Sequence, residues 1–152
     1  MSIQTIFVGG GPEARHLRGL VAQSKLEKVV DFLGPVPRKQ LGGLYRSADI
    51  VCVPSRSDPL PTVVLEAMVA GVAVVGTDVG GIAFMIEHEK TGIVCPLENS
   101  DALAIVLERF FIEENLILRM GEAGQRKVKK EFAWQKIGES LVKEIIMNIN
   151  RL

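Results

Sequence analysis

The chain has 152 residues, 47% hydrophobic and 24% charged, an ordinary balance for one globular domain that buries roughly two thirds of its unfolded surface. Lys plus Arg and Asp plus Glu both number 18, so a formal net charge of zero gives no electrostatic reason to expect nucleic acid, and aromatics at 5% are too few for a base-stacking platform. No apolar run approaches the ~20 residues of a membrane span, and the N-terminus lacks the basic start and apolar core of a signal peptide, so the expectation is a cytoplasmic chain with no transmembrane segment.

In chain order, short β-rich apolar runs alternate with helical patterns. "TIFVGG" (residues 5–10) is followed by a helix over about 12–24, "KVVDFLG" (28–34) by a helix over about 37–48, and "DIVCVP" (49–54) by a helix over about 61–70. "VAVVGT" (72–77) precedes a helix over about 81–88, and "GIVCP" (92–96) one over about 100–112. Continuous rather than alternating apolarity fits strands buried on both faces. Pro12, Pro37 and Pro61 suit first helical positions, and "NSD" at 99–101 offers caps. Five strand–helix units predict an α/β fold: a Rossmann-like three-layer α/β/α arrangement with a mostly parallel sheet of about five strands.

Two further helices, about 114–131 and 134–150, close the chain, the last with Ile137, Leu141, Ile145 and Ile149 in one apolar stripe. The basic run "RKVKK" (126–130) reads as a solvated helix face, with contact to anionic lipid at the cytoplasmic face of a membrane as the weaker alternative. Cys52 and Cys95 lie inside apolar runs and form no C-x-x-C pair, which predicts small buried hydrophobes in a reducing compartment and no metal.

In open parallel sheets ligands bind beyond the carboxyl ends of the strands, so the residues just after each strand carry the functional information. "VGGGPEA" (8–14) satisfies G-x-G-x-x-A, with Asp31 at the end of the next apolar run; it is either a dinucleotide-type loop or a tight turn that needs positive φ. "FLGPVPRKQL" (32–41) is irregular enough to read the edge of a base, or is merely a connection. "TDVGGIAFM" (77–85) offers a glycine pair that lets a ligand or another backbone approach closely, or an ordinary capped turn. His16 and His88 read as surface residues.

The strongest signal is "PSRSDPLPTVVLEAMVAG" (54–71). A helix starting near Pro61 or Thr62 presents unpaired first-turn amides and a dipole, an anion site suited to phosphate. Glu66 follows Thr62 by four residues and sits one turn behind it on the same face, about 6 Å along the axis. Among Val63, Val64, Leu65, Ala67, Met68 and Val69 a lone carboxylate must find donors or face a cleft. Sugar hydroxyls are such donors; a basic neighbour such as Arg56, or solvent, is the alternative.

The ordered strings "IFVGGGPEARHL", "VVDFLGPVPRKQLGGLYRSADIVCVPSRSDPLPTVVLEAMVAGVAVVGTDVGGI", "TGIVCPLENSDALAIVL" and "RKVKKEFAW" resemble the C-terminal, donor-binding half of retaining GT-B glycosyltransferases of family 4, over nearly the whole chain. The resemblance implies transfer of a hexose from a UDP- or GDP-sugar to a glycan or lipid-linked acceptor, as in polysaccharide biosynthesis, with no cofactor and no obligatory metal. It implies an E-x7-E motif matched by Asp58 and Glu66, the catalytic pair, with Asp58 facing the hexose and Glu66 the ribose hydroxyls. It further implies that backbone around Leu60, Pro61, Thr62 and Val63 holds the diphosphate, that Val36 and Arg38 grip the base, and that Gly9, Gly10 and Gly11 line the same cleft.

Three residues depart from the family pattern: Asp58 is shorter than the usual Glu, Pro61 replaces a frequent glycine, and Phe84 stands where "GGIPE" members carry a glutamate. The resemblance also implies a further central strand between "TIFVGG" and "DIVCVP", an Arg and Lys that clamp the diphosphate, and an acceptor-binding N-terminal domain, all outside residues 1–152. The expectation is therefore a single donor-binding domain over 1–152, inactive in transfer by itself, whose final helix packs on the absent domain or drives a homodimer. The rivals are a non-catalytic fragment or subunit that self-associates or is completed by a partner chain, and an NAD-binding domain built on Gly9 to Ala14.

Overall fold

A computed structural model describes residues 3–149. Within them the elements run β1 (Thr5–Val8), α1 (Ala14–Gln23), β2 (Val30–Gly34), α2 (Arg38–Ser47), β3 (Ile50–Val53), α3 (Thr62–Val69), β4 (Ala73–Thr77), α4 (Gly80–Met85), β5 (Ile93–Cys95), α5 (Ser100–Ile112), α6 (Leu116–Lys127) and α7 (Trp134–Ile149). A π turn at Val128–Phe132 joins the last two helices. The strand–helix alternation expected from the sequence is present, and every strand pair is parallel.

The strands lie in two sheets rather than one: β1 pairs with β2, and β3–β4–β5 form a second sheet. Among the described residues β1 and β3 each keep one edge without a strand partner. The chain divides into two compact units, Met1–Leu41 and Gly42–Leu152.

In the first unit all four residues of β1 are exposed. The Phe7 and Phe32 rings stack at 4.8 Å between centroids, and the Arg18 guanidinium of α1 lies 4.4 Å over the Phe32 ring, a cation–π contact. Gln4 Nε2 donates to Asp31 Oδ2 at 2.7 Å and clasps the start of β1 to β2.

The second unit has three layers about β4, whose five residues are all buried. The period-two alternation of a strand sends Val74 to one side and Ala73 and Val75 to the other. Val74 joins Val53, Val64, Ala67, Met68, Ile82, Met85, Ile86 and Val128 in a core under α3 and α4. Ala73 and Val75 join Ile93, Cys95, Phe110, Leu116 and Met120 under α5 and α6. This two-sided burial is the physical reason Ala73, Val74 and Val75 are apolar in succession.

Helix ends follow local chemistry. Asn99 caps α5 by accepting from the Ala102 amide at 2.9 Å. The fourth helix is shorter than the pattern predicts, ending at Met85 because Ile86 turns extended and His88 bridges Gly92. On α7, Leu141, Val142, Ile146 and Met147 are exposed; the side chains of Ile145 and Ile149, and Asn150, lie outside the described residues. No helix among the described residues is long and apolar enough to cross a membrane.

Candidate donor-binding site

The second unit builds its site where β3 ends. The chain leaves Val53, crosses the carboxyl edge of the sheet through residues 54–61, and enters α3 at Thr62. The Leu60 amide donates to Asp58 Oδ1 at 3.2 Å, an Asx turn that tightens the loop. The Thr77 hydroxyl donates to the Ser55 carbonyl at 2.5 Å and ties the end of β4 to the same loop.

The glycine pair lies beneath this loop. The Gly81 amide donates to the Asp58 carbonyl at 3.2 Å. A Cβ on Gly81 would stand 2.5 Å from the Pro59 carbonyl oxygen, and one on Gly80 would meet the Asp58 carbonyl. Gly80 also holds a φ of +46°, in the left-handed region that glycine adopts at least cost. Of the two uses read from the sequence, the glycines serve close approach of backbone: the start of α4 buttresses the loop that carries Asp58 and Leu60.

Helix α3 begins with Pro61 as N-cap, buried and with no side-chain cap hydrogen bond. The Val64 amide turns back to the Pro61 carbonyl at 3.2 Å, while Thr62 and Val63 are exposed at the first turn. An uncapped N-terminus directs first-turn N–H groups and a partial positive charge outward. One turn in, Glu66 is half-buried, and its Oε2 accepts from the Tyr45 hydroxyl at 2.9 Å. Burial, the hydrogen bond to Glu66 and the Glu66 charge push the Tyr45 phenol up to about 12. Arg56, the alternative partner weighed from the sequence, pairs with Glu98 at 3.0 Å.

Tyr45 escapes sequence reasoning because it lies 21 residues from Glu66 on a different helix. The available signal is that the chain has a single tyrosine, and that a tyrosine resting on a core needs a partner for its hydroxyl. Phe84, the departure in the glycine-pair segment, is 71% exposed and meets Phe132 edge to face at 6.0 Å.

A cavity of about 320 Å³ opens at the carboxyl ends of β3, β4 and β5, on the sheet face opposite α3; Cys52, Thr77, Cys95, Glu98 and Asn99 are among its lining residues. Cys52 corrects one expectation. It is exposed, and only Cys95 is buried: β3 has a single strand neighbour, and Cys52 borders the cavity instead of joining the core. The surrounding protein still pushes the Cys52 thiol up to about 11, with the charge of Cys95 as the lesser cause.

The first unit holds the remaining candidates. Gly9, at φ +117°, donates its amide to the Gly34 carbonyl at 2.8 Å, and Gly10 and Gly11 complete an exposed turn into α1. Val36 is half-buried, and Arg38 is exposed as the first residue of α2. Thus Asp58, Leu60, Pro61, Thr62, Val63 and Glu66 share one loop and helix of the second unit, while Gly9, Gly10, Gly11, Val36 and Arg38 belong to the first.

Parallel strands alternating with helices, with the N-terminus of α3 and Glu66 at the carboxyl edge of the second sheet, form an α/β fold of the GT-B glycosyltransferase type. The chain belongs to the family "Glycosyl transferases group 1", whose model matches residues 2–127. It is similar to D-inositol 3-phosphate glycosyltransferase of Corynebacterium jeikeium, at 34% identity over 134 residues, covering 88% of this chain and 32% of that protein. The sucrose-phosphate synthase of Thermosynechococcus elongatus superposes with a TM-score of 0.83 at 28% identity, covering 98% of this chain and 39% of the other. Anabaena Alr3699/HepE, solved in complex with UDP, superposes at 0.85 with 23% identity, covering 95% and 41%, a likeness of fold. The chain spans about a third of the length of the curated relatives it matches. Family membership displaces the dinucleotide reading of residues 8–14; Asp31, which that reading requires, accepts from Gln4.

Proposed function

We propose that this chain is the nucleotide-sugar-binding half of a retaining glycosyltransferase that takes a hexose from a UDP- or GDP-sugar. The observation that carries the proposal is the bare N-terminus of α3 with Glu66 one turn behind it. The first-turn amides donate to the diphosphate oxygens, Glu66 accepts from ribose hydroxyls, and Asp58 faces the hexose. As the sugar–phosphate bond breaks, negative charge grows on the diphosphate, and the helix N-terminus stabilises it. Among relatives, one is named as GDP-mannose-dependent and a structural neighbour was solved with UDP-glucose, which supports a nucleotide-sugar donor of either base.

On this reading a chain that spans about a third of its relatives' length binds nucleotide weakly and transfers no hexose by itself. Calorimetry with UDP, GDP and ADP tests the site. Glu66→Ala weakens binding by roughly tenfold, the size of one or two hydrogen bonds, whereas Glu114→Ala, at an exposed position, leaves it unchanged. Absence of binding by all three nucleotides, or equal loss in both variants, overturns the proposal.

A further inference from the structure

We infer that Tyr45 is a positioning residue that orients the Glu66 carboxylate for ribose hydroxyls and thereby makes the site selective for ribonucleotides over 2′-deoxyribonucleotides. The inference rests on the donor-site reading of Glu66 given above.

A glutamate has three rotatable side-chain bonds, and a carboxylate free to turn about them must be ordered anew each time a ligand binds. Tyr45 removes that freedom. It is partly buried against the core under α3 and α4, so its hydroxyl is a donor on a fixed arm, and it meets Glu66 Oε2 at 2.9 Å. An ionised carboxylate offers about four lone-pair sites on two oxygens. One bond from Tyr45 occupies Oε2 in part and leaves Oε1 whole, so the carboxylate can still accept from two neighbouring hydroxyls.

The choice of donor matters as much as the contact. An arginine or lysine in this position would pair with Glu66 through a charge-assisted bond and draw on the same oxygens that the ligand needs. A phenol brings no charge and gives a single neutral bond, which leaves the remaining lone pairs of the carboxylate to sugar hydroxyls. Arg56, which the chain also places near this loop in sequence, is held by Glu98 at 3.0 Å. With the phenol pushed up to about 12, it stays a donor throughout the neutral range.

The test compares UDP with 2′-deoxy-UDP, and GDP with 2′-deoxy-GDP, by calorimetry on the wild-type chain, Tyr45→Phe, Glu66→Ala and the double variant, with melting curves to confirm folding. For the base that binds, Tyr45→Phe weakens the ribonucleotide by about five- to tenfold, the size of one hydrogen bond. It weakens the 2′-deoxynucleotide less, so the preference for ribose narrows, and it adds nothing in the Glu66→Ala background. If Tyr45→Phe weakens both sugars equally, or if the two substitutions add, Tyr45 only supports the fold and the inference falls. If Tyr45→Phe binds like wild type while Glu66→Ala does not, the inference falls and the donor site stands. If no nucleotide binds, the donor site falls and takes the inference with it. Should Tyr45→Phe fail to fold, Tyr45→Trp and Tyr45→His, read by the same ratio of ribose to deoxyribose affinity, decide the question.

Discussion

Cys52 and Cys95 flank β4 on one face of the second sheet, and their surroundings divide them. Cys95 faces the core formed with Phe110, Leu116 and Met120, whereas Cys52 opens to the cavity. Access and reactivity part company at Cys52, since the thiolate is the nucleophile and the surrounding protein disfavours that charged form, with Cys95 adding to the effect. Native protein therefore takes up one iodoacetamide, at Cys52, slowly at pH 8, and the rate keeps rising with pH until it passes about 11. Peptide mapping by mass spectrometry and a rate–pH profile check this; a plateau near pH 9, or labelling at Cys95 in folded protein, contradicts it. The same residue marks a limit of sequence reading. "DIVCVP" identifies a strand, but whether its outward face is covered depends on what lies beside it in space. Glu66 was legible as a carboxylate needing donors, whereas Tyr45 as its donor depends on a hydrogen bond across 21 residues of sequence.

At the scale of elements, helix α6 is fixed against the α3–β4 turn by an absence of side chain. A Cβ on Gly121 would run into the carbonyl of Gly71 and stand 3.5 Å from the Ala73 amide, so the helix approaches backbone to backbone. Gly138 in α7 has nothing within 4 Å of its missing Cβ and lies in the interior of an exposed helix. The same substitution should act with opposite signs. Gly121→Ala destabilises by about 1–3 kcal/mol through overpacking against backbone that cannot yield, while Gly138→Ala stabilises by about 0.5–1 kcal/mol through helix propensity. Urea midpoints measure both, and equal shifts of one sign would refute the assignment of Gly121 to packing. Such distinctions are not written locally, for both glycines sit in helical patterns of similar composition. What was local proved legible: the Asn99 cap, the apolar runs of β2 to β5 and the start of α3 beside Pro61. The π turn at Val128–Phe132 was not, because "RKVKK" reads as one continuous helix and nothing nearby in sequence dictates a wider turn. Within the core under α3 and α4, Val128 is buried and Phe132 packs on the cluster, and the extra residue of a π turn is one way to bring both side chains inward.

Across the molecule, the two sheets differ in how their backbone is protected. Strand β4 has a hydrogen-bonded partner on each side and all five residues buried between two clusters. Strand β1 has one partner, an open edge among the described residues, and Ile6, Phe7 and Val8 exposed at 46%, 39% and 46%. Both read alike in sequence, because "TIFVGG" and "VAVVGT" are equally apolar runs ending in glycine or threonine. The likeness records what each strand is suited to bury, and only in β4 does this chain supply the cover. An amide exchanges when its hydrogen bond opens, and opening costs least where few apolar contacts must be broken. Hydrogen exchange on the purified chain should therefore find the amides of Ala73–Thr77 among the slowest and those of Thr5–Val8 exchanging well before them. The same order should appear in the response to added UDP or GDP: protection gained at Thr62 and Val63, where the diphosphate is proposed to sit, and none gained at Ala73–Thr77, already closed. Fast exchange in β4 would contradict its burial between two clusters, and protection of β1 equal to that of β4 would mean that cover for the first sheet comes from within these residues.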